Sequence, residues 1–266
     1  MIRIIIGIFI TYLLLCLLLY LLQNKLLFYP EKLPRDYSFK FETPFEEIYY
    51  QTAPGITINA LKFTAEHPAG IIYYLHGNAG SLRNWGYVAD IFVQAGYDCL
   101  IIDYRSYGKS TGEMTKAGTI HDVQYIYDKI KEDYEEDKIT LYGRSLGSGM
   151  AACLAARNQP QRLILESPYY SLRDVASHVM PIVPSFLLRF NFNTYQYLPK
   201  TNCPVYIFHG TEDEVIYYGS SQKLKKYFKA SDQLITIENG GHNNLITFAE
   251  YRKHLQEVLQ PGKSPQ

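Results

Sequence analysis

The chain has 266 residues, enough for one large domain that buries roughly 70 to 75 % of the surface its unfolded form exposes. Lys plus Arg and Asp plus Glu balance at 26 each, so no net field draws the chain to nucleic acid or to an acidic substrate. The four cysteines, Cys16, Cys99, Cys153 and Cys203, show no C-x-x-C spacing and mostly fall inside apolar runs; they read as buried thiols rather than as a disulfide frame or a metal site.

From Ile4 to Leu22 no charge interrupts the chain. As a helix this stretch spans about 28 Å, close to the hydrocarbon thickness of a bilayer, and a single-pass transmembrane anchor is expected over residues 1–28. A cleaved signal peptide is the rival, but no A-x-A-like site of small residues follows the run. Arg3 and the terminal amine flank one end, and Lys25, Lys32 and Arg35 the other; this count leans toward a cytoplasmic domain. Phe28 and Tyr29 fit either an interfacial belt or packing on the domain they introduce.

A Pro-bearing linker is expected over 29–45. The main domain then runs from 46 to 260, opening with strands at Glu46–Thr52 and Ile56–Thr64 around the turn signal Pro54-Gly55. Strands and helices alternate from there: Gly70–Leu75 and a helix near Arg83–Ala95, Asp98–Asp103 and a helix near Ala117–Tyr134, Ile139–Tyr142 and a helix at Leu146–Arg157. Further strands are expected at Arg162–Leu165, Val205–Phe208 and Leu234–Ile237, each followed by a helical pattern. Short continuous apolar strands such as "GIIYYL" and "VYIF" indicate an α/β fold, a mostly parallel central sheet with helices on both faces. Ligands bind such sheets at the carboxyl ends of the strands. The tail "QPGKSPQ", with 261–266 beyond the domain, has little apolar surface to bury and reads as flexible.

Residues 143–147, "GRSLG", match G-x-S-x-G between the strand "ITLY" and the small-residue helix "SGMAACLAA". In that setting a sharp turn holds the serine with its hydroxyl exposed above the sheet. Serine is a weak nucleophile alone and needs a base oriented by a third group. In this architecture the partners follow in the order Ser, acid, His. His242 in "ENGGHNN" lies in a loop directly after a strand, whereas His254 falls within an amphipathic helix, so Ser145 and His242 are the expected nucleophile and base. For the acid, "HGTEDEVI" presents Glu212, Asp213 and Glu214; Asp213 is shorter and sits in a turn-prone setting. Glu166, at the end of "RLILE", is its competitor. The backbone N–H groups of Leu146 and of Asn78 in "HGNAG" are the candidate oxyanion donors.

Taken together, "HGNAG", "DYRSYGKSTG", "GRSLG", "ESPYYSLRDVA", "HGTEDEVI" and "GGHNN", in this order over residues 70–245, resemble an alpha/beta-hydrolase-domain serine hydrolase. With the apolar N-terminus and "LLFYPEKLP", the chain is similar to the small membrane-anchored members of that superfamily, a set that includes protein depalmitoylases. The resemblance implies Ser145, Asp213 and His242 as nucleophile, acid and base, with Asn78 donating to the oxyanion. One departure is Ser106, where relatives often carry glycine in "DYRGYG". Asp103 and Arg105 in that stretch read as structural ion-pair or turn residues.

Between Glu166 and Val205 lies an insert, a cap over about 168–200, with apolar residues that include Met180, Leu188, Phe190 and Phe192. It fits the wall of an acyl pocket, or equally a core helix or a face laid on the bilayer. The expectation is a membrane-tethered serine hydrolase that cleaves an ester or thioester of a lipid or acylated protein through an acyl-serine, with no metal or organic cofactor. Activity is expected to rise from about pH 6 to about pH 8, because the histidine must be neutral to act as base. A serine peptidase with the same triad and a non-catalytic membrane adaptor are the rival readings.

Overall fold

A computed structural model describes residues 1–260; the tail expected at 261–266 lies outside the described residues. The apolar N-terminus forms one helix, α1 (Ile2–Leu27), long and apolar enough to cross a membrane. It has helix-favouring leucines throughout and no proline or internal charge cluster to stop it.

Eight strands make the central sheet: β1 (Phe45–Ala53), β2 (Ile56–Phe63), β3 (Ile71–Leu75), β4 (Asp98–Ile102), β5 (Ile139–Arg144), β6 (Arg162–Glu166), β7 (Val205–Gly210) and β8 (Gln233–Ile237). Their spatial order is β8-β7-β6-β5-β3-β4-β2-β1. The β1–β2 hairpin and the β2–β4 pair are antiparallel; every other pairing is parallel. This is the alternation expected from the sequence. The longer helices that follow strands are α2 (Ala89–Gln94), α3 (Lys116–Ile130), α4 (Leu146–Ala155), α5 (Leu172–Val179), α6 (Gly219–Leu224) and α7 (Ala249–Leu259).

The strands are buried on both faces, and their period of two deals side chains to two cores. Tyr73, Leu75, Leu141 and Leu165 pack with α3 and α4 on one face, while Ile72, Tyr74, Tyr142 and Ile164 pack with α2 and α7 on the other. Each such aliphatic or aromatic side chain contributes roughly 1.5 to 3 kcal/mol on full burial. All four cysteines are free and buried.

Three sequence expectations are revised. The helix expected near Arg83–Ala95 is broken into Leu82–Trp85, a 3-10 turn at Gly86–Val88, and α2. The Phe41 ring lies where a side chain at position 86 would stand, so only glycine fits at the 3-10 turn. The stretch 29–45 is a strap rather than a free linker. Tyr29–Pro30 pairs in parallel with Ala79–Gly80, Glu31 meets Arg83 and Ser81, and Phe39 and Phe41 join the aromatic cluster of Phe45 and Phe63. The insert is only partly helical: between α5 and residue 193 the one regular element is a 3-10 turn at Ser185–Leu187. Of the flanking aromatics, Phe28 is buried edge-on to Phe190 with ring centroids 4.7 Å apart, and Tyr29 is exposed.

Candidate active site

After β4 the chain crosses to β5 on the opposite side of β3, so the strand order reverses between β3 and β5. The carboxyl ends of those two strands border the crevice where such sheets take their ligands. Ser145 follows β5, and the loop His76–Gly80 follows β3.

Ser145 occupies φ +49°, ψ −113°, a region that costs a side-chain-bearing residue of order 1 to 3 kcal/mol. Neighbouring close approaches impose it. A Cβ at Gly147 would stand 2.0 Å from the Leu75 carbonyl oxygen, and one at Gly143 would stand 2.7 Å from the Gly147 carbonyl oxygen. Only glycines let α4 start this close to β3. The Ser145 N–H donates to the Glu166 carbonyl at 2.9 Å, and Ser148 donates to the Ser145 carbonyl through both its N–H and its hydroxyl.

The loop after β8 delivers His242. Its Nε2 lies 3.1 Å from Ser145 Oγ, and its Nδ1 lies 2.8 Å from Asp213 Oδ2 and 3.0 Å from Oδ1. A ring nitrogen facing a carboxylate carries the proton, which leaves Nε2 to accept from the serine hydroxyl. Asp213 is further held by the N–H groups of Val215 and Ile216 on Oδ1, at 2.9 and 2.8 Å. His209 Nε2 lies 3.2 Å from Asp213 Oδ2 and 2.8 Å from the Ile216 carbonyl, so it is an N–H donor. Burial pushes the Asp213 carboxyl up, but hydrogen bonds from His209, His242 and the Ile216 N–H outweigh it and hold it well below the usual carboxylate range.

The other candidates fall elsewhere. Glu166 does not face His242. Its carboxylate takes the Arg144 Nε at 2.8 Å and the hydroxyls of Tyr142 and Tyr251. His254 sits on α7 against Glu257. Asp103 accepts the Leu82 N–H, and Arg105 grips Asp122 with two hydrogen bonds. Ser106 has φ +71°, so the glycine of similar sequences suits the turn, and the serine is kept there by its hydroxyl, which accepts the Met114 N–H at 3.2 Å.

The β3 loop is pinned from several sides. The Tyr104 hydroxyl donates to the His76 carbonyl at 2.8 Å and that of Tyr107 to the Asn78 carbonyl at 2.5 Å. The Asn78 side-chain amide donates to the Leu27 carbonyl at the end of α1, at 2.6 Å. Gly77 packs against the nucleophile loop, where a Cβ would stand 3.7 Å from Ser145 Cβ.

The family of the alpha/beta hydrolase fold matches residues 70–194. Protein bem46 of Schizosaccharomyces pombe is 31 % identical over 211 residues, covering 73 % of this chain and 71 % of that protein. The chain belongs to the alpha/beta hydrolase family. A lysophosphatidylserine lipase of Danio rerio, ABHD12, is 30 % identical over 226 residues, 77 % of this chain. The chain spans 57 % of that lipase's length. Among solved structures, the Pyrococcus furiosus esterase Pf2001 superposes with a TM-score of 0.71 at 18 % identity, covering 86 % of this chain and 96 % of its own, a likeness of fold.

Within this hydrolase fold, sequence reasoning missed four participants. His209 is separated from Asp213 by the end of β7, and only its i, i+4 spacing hints at contact. Tyr104 and Tyr107 flank the turn whose charged residues drew attention instead. Arg144 looks like the free position of G-x-S-x-G, yet its guanidinium donates to the His242 carbonyl at 3.0 Å and to Asn243 Oδ1 at 2.9 Å.

Proposed function

We propose that the chain is a membrane-tethered serine hydrolase that cleaves a carboxylic ester or thioester of a lipid or acylated protein. The observation that carries this reading is the single line of contact from Asp213 through His242 to Ser145 Oγ, 3.1 Å from the imidazole. His242 Nε2 takes the hydroxyl proton as Ser145 Oγ bonds to the acyl carbon, and Asp213 keeps the imidazole in the right tautomer and steadies its positive charge. The carbonyl oxygen becomes an oxyanion facing the N–H groups of Leu146, at the start of α4, and Asn78. The imidazolium then protonates the leaving alcohol or thiol. Water, deprotonated by the same ring, releases the acid from the acyl-serine.

The lysophosphatidylserine lipase among the relatives supports a lipid substrate, and α1 supports attachment to a bilayer in a single pass. Basic residues Lys25, Lys32 and Arg35 after the apolar run favour a cytoplasmic domain. Fluorophosphonate labelling of the wild type and Ser145→Ala tests the reading: label is expected on the first alone. Absence of serine-dependent label would support the adaptor reading. A panel of lysophospholipid, acyl thioester and short peptide amide separates a lipase or thioesterase from a peptidase; turnover of the amide alone would overturn the proposal.

A further inference from the structure

The irregular part of the insert lies along α1. The Tyr12 hydroxyl donates to the Ile182 carbonyl at 3.0 Å. The Gln23 side chain donates to the Leu187 carbonyl at 3.3 Å and accepts the Arg189 N–H at 2.8 Å. Arg189 also lies 5.1 Å from the Tyr20 ring centre and donates to Asn24 Oδ1 at 3.3 Å. Between the two runs is an apolar groove walled by Leu19, Leu26 and Leu27 of α1 and Met180, Val183 and Leu188 of the insert.

Tyr12 stands about 22 Å along the helix axis from Leu27. With Ile4–Leu22 in a bilayer, the insert at Ile182 reaches hydrocarbon depth. Irregular backbone survives there only when its polar groups are satisfied. Tyr12 and Gln23 satisfy the Ile182 and Leu187 carbonyls and the Arg189 N–H, and tight turns satisfy the Val183, Leu187 and Leu188 N–H groups, which donate to the Met180, Pro184 and Ser185 carbonyls. Gln23, buried just past the apolar run, clasps the insert through both ends of its amide. Ile182 and Phe186 turn outward, 74 and 70 % exposed.

Two chains of contact lead from the groove toward the loops that carry Ser145 and Asp213. On one side, Leu27 accepts from Asn78, which follows Gly77 beside Ser145. On the other, α5 contributes Ala176 to the groove and meets the acid loop, where Asp174 accepts the Tyr217 hydroxyl at 2.6 Å and His178 stacks on that ring.

We propose that this groove is the acyl-chain site, filled sideways from the bilayer by the hydrocarbon tail of a membrane lipid, so that α1 is a wall of the substrate site as well as a tether. The proposal rests on the hydrolase reading above and adds the substrate: a long-tailed lipid ester, its carbonyl at Ser145 and its tail between α1 and the insert. From Leu19 to Leu27 the wall is about 12 Å long, and because the tail arrives from hydrocarbon rather than from water, its fit to the groove rests on packing against these side chains and not on transfer out of water.

The test uses the full chain in phosphatidylcholine vesicles, with p-nitrophenyl butyrate and p-nitrophenyl palmitate as substrates and fluorophosphonate labelling as the report on the triad. Met180→Trp, with Val183→Trp as the second variant should the first fail to fold, is expected to lower the palmitate-to-butyrate ratio of kcat/KM at least tenfold. Phe186→Ser, which removes an outward apolar side chain beside the groove, is expected to leave the ratio unchanged. An unchanged ratio in both tryptophan variants, or an equal fall in Phe186→Ser, overturns the groove as the acyl site while the hydrolase reading stands. A wild type without serine-dependent label overturns the hydrolase reading, and this proposal with it.

Discussion

Arg144 holds His242: the residue before the nucleophile donates to the main-chain carbonyl of the proposed base at 3.0 Å, while its Nε is anchored on the Glu166 carboxylate at 2.8 Å. The distance between serine and imidazole is therefore set from β5 itself, across two loops that the chain separates widely. Arg144→Ala is expected to lower kcat by about 100-fold with a smaller change in KM, because misplacement near 1 Å carries that cost. It also leaves Glu166 buried without its cation, which destabilises by about 3 kcal/mol. Steady-state kinetics beside chemical denaturation separate the two effects, and an unchanged kcat would exclude the positioning role.

Asp213 and Glu166 compete for the acid role in the sequence and part company in the structure. Asp213→Asn is expected to reduce kcat by about 10⁴, since an amide no longer selects the tautomer with Nε2 free. Glu166→Gln keeps a hydrogen-bond acceptor for the tyrosines and is expected to stay within about tenfold of wild type, a cost transmitted through Arg144. Reversed magnitudes would reassign the acid.

The depressed Asp213 carboxyl makes a statement about pH. A carboxylate favoured by the fold contributes its full stability above its unfolded pKa of about 3.9, and that contribution is lost as pH falls through the lower folded value. Between about pH 5 and 8 the charge on Asp213 is constant, so a change in kcat/KM across that range does not come from the proposed acid. The wild-type profile is expected to rise from about pH 6 to about 8; a flat one would exclude a histidine base.

Ser145 is strained at φ +49°. Ser145→Gly and Ser145→Ala both remove the hydroxyl and its hydrogen bond to His242, so their difference isolates the backbone. Glycine reaches this conformation freely, and the glycine variant is expected to be more stable than the alanine variant by about 1 kcal/mol. Equal unfolding midpoints would show an unstrained elbow.

The elements of this hydrolase that could be read in advance are written locally. The elbow needs its glycines within two residues of Ser145, the parallel strands need short apolar runs, and the proposed acid and base lie in loops that follow recognisable strands, so Ser145, Asp213 and His242 could be proposed from spacing and order. The length and composition of Ile2–Leu27 alone determine that this helix can cross a bilayer. Tertiary structure decided what depends on contacts between distant residues: Arg144 on His242, Asn78 on Leu27, and the stretch 29–45 as a strap against the sheet. No periodicity encodes those meetings, because a hydrogen bond between residues far apart in the chain leaves each partner's neighbours unconstrained. Only the folding of the sheet brings their backbones within reach.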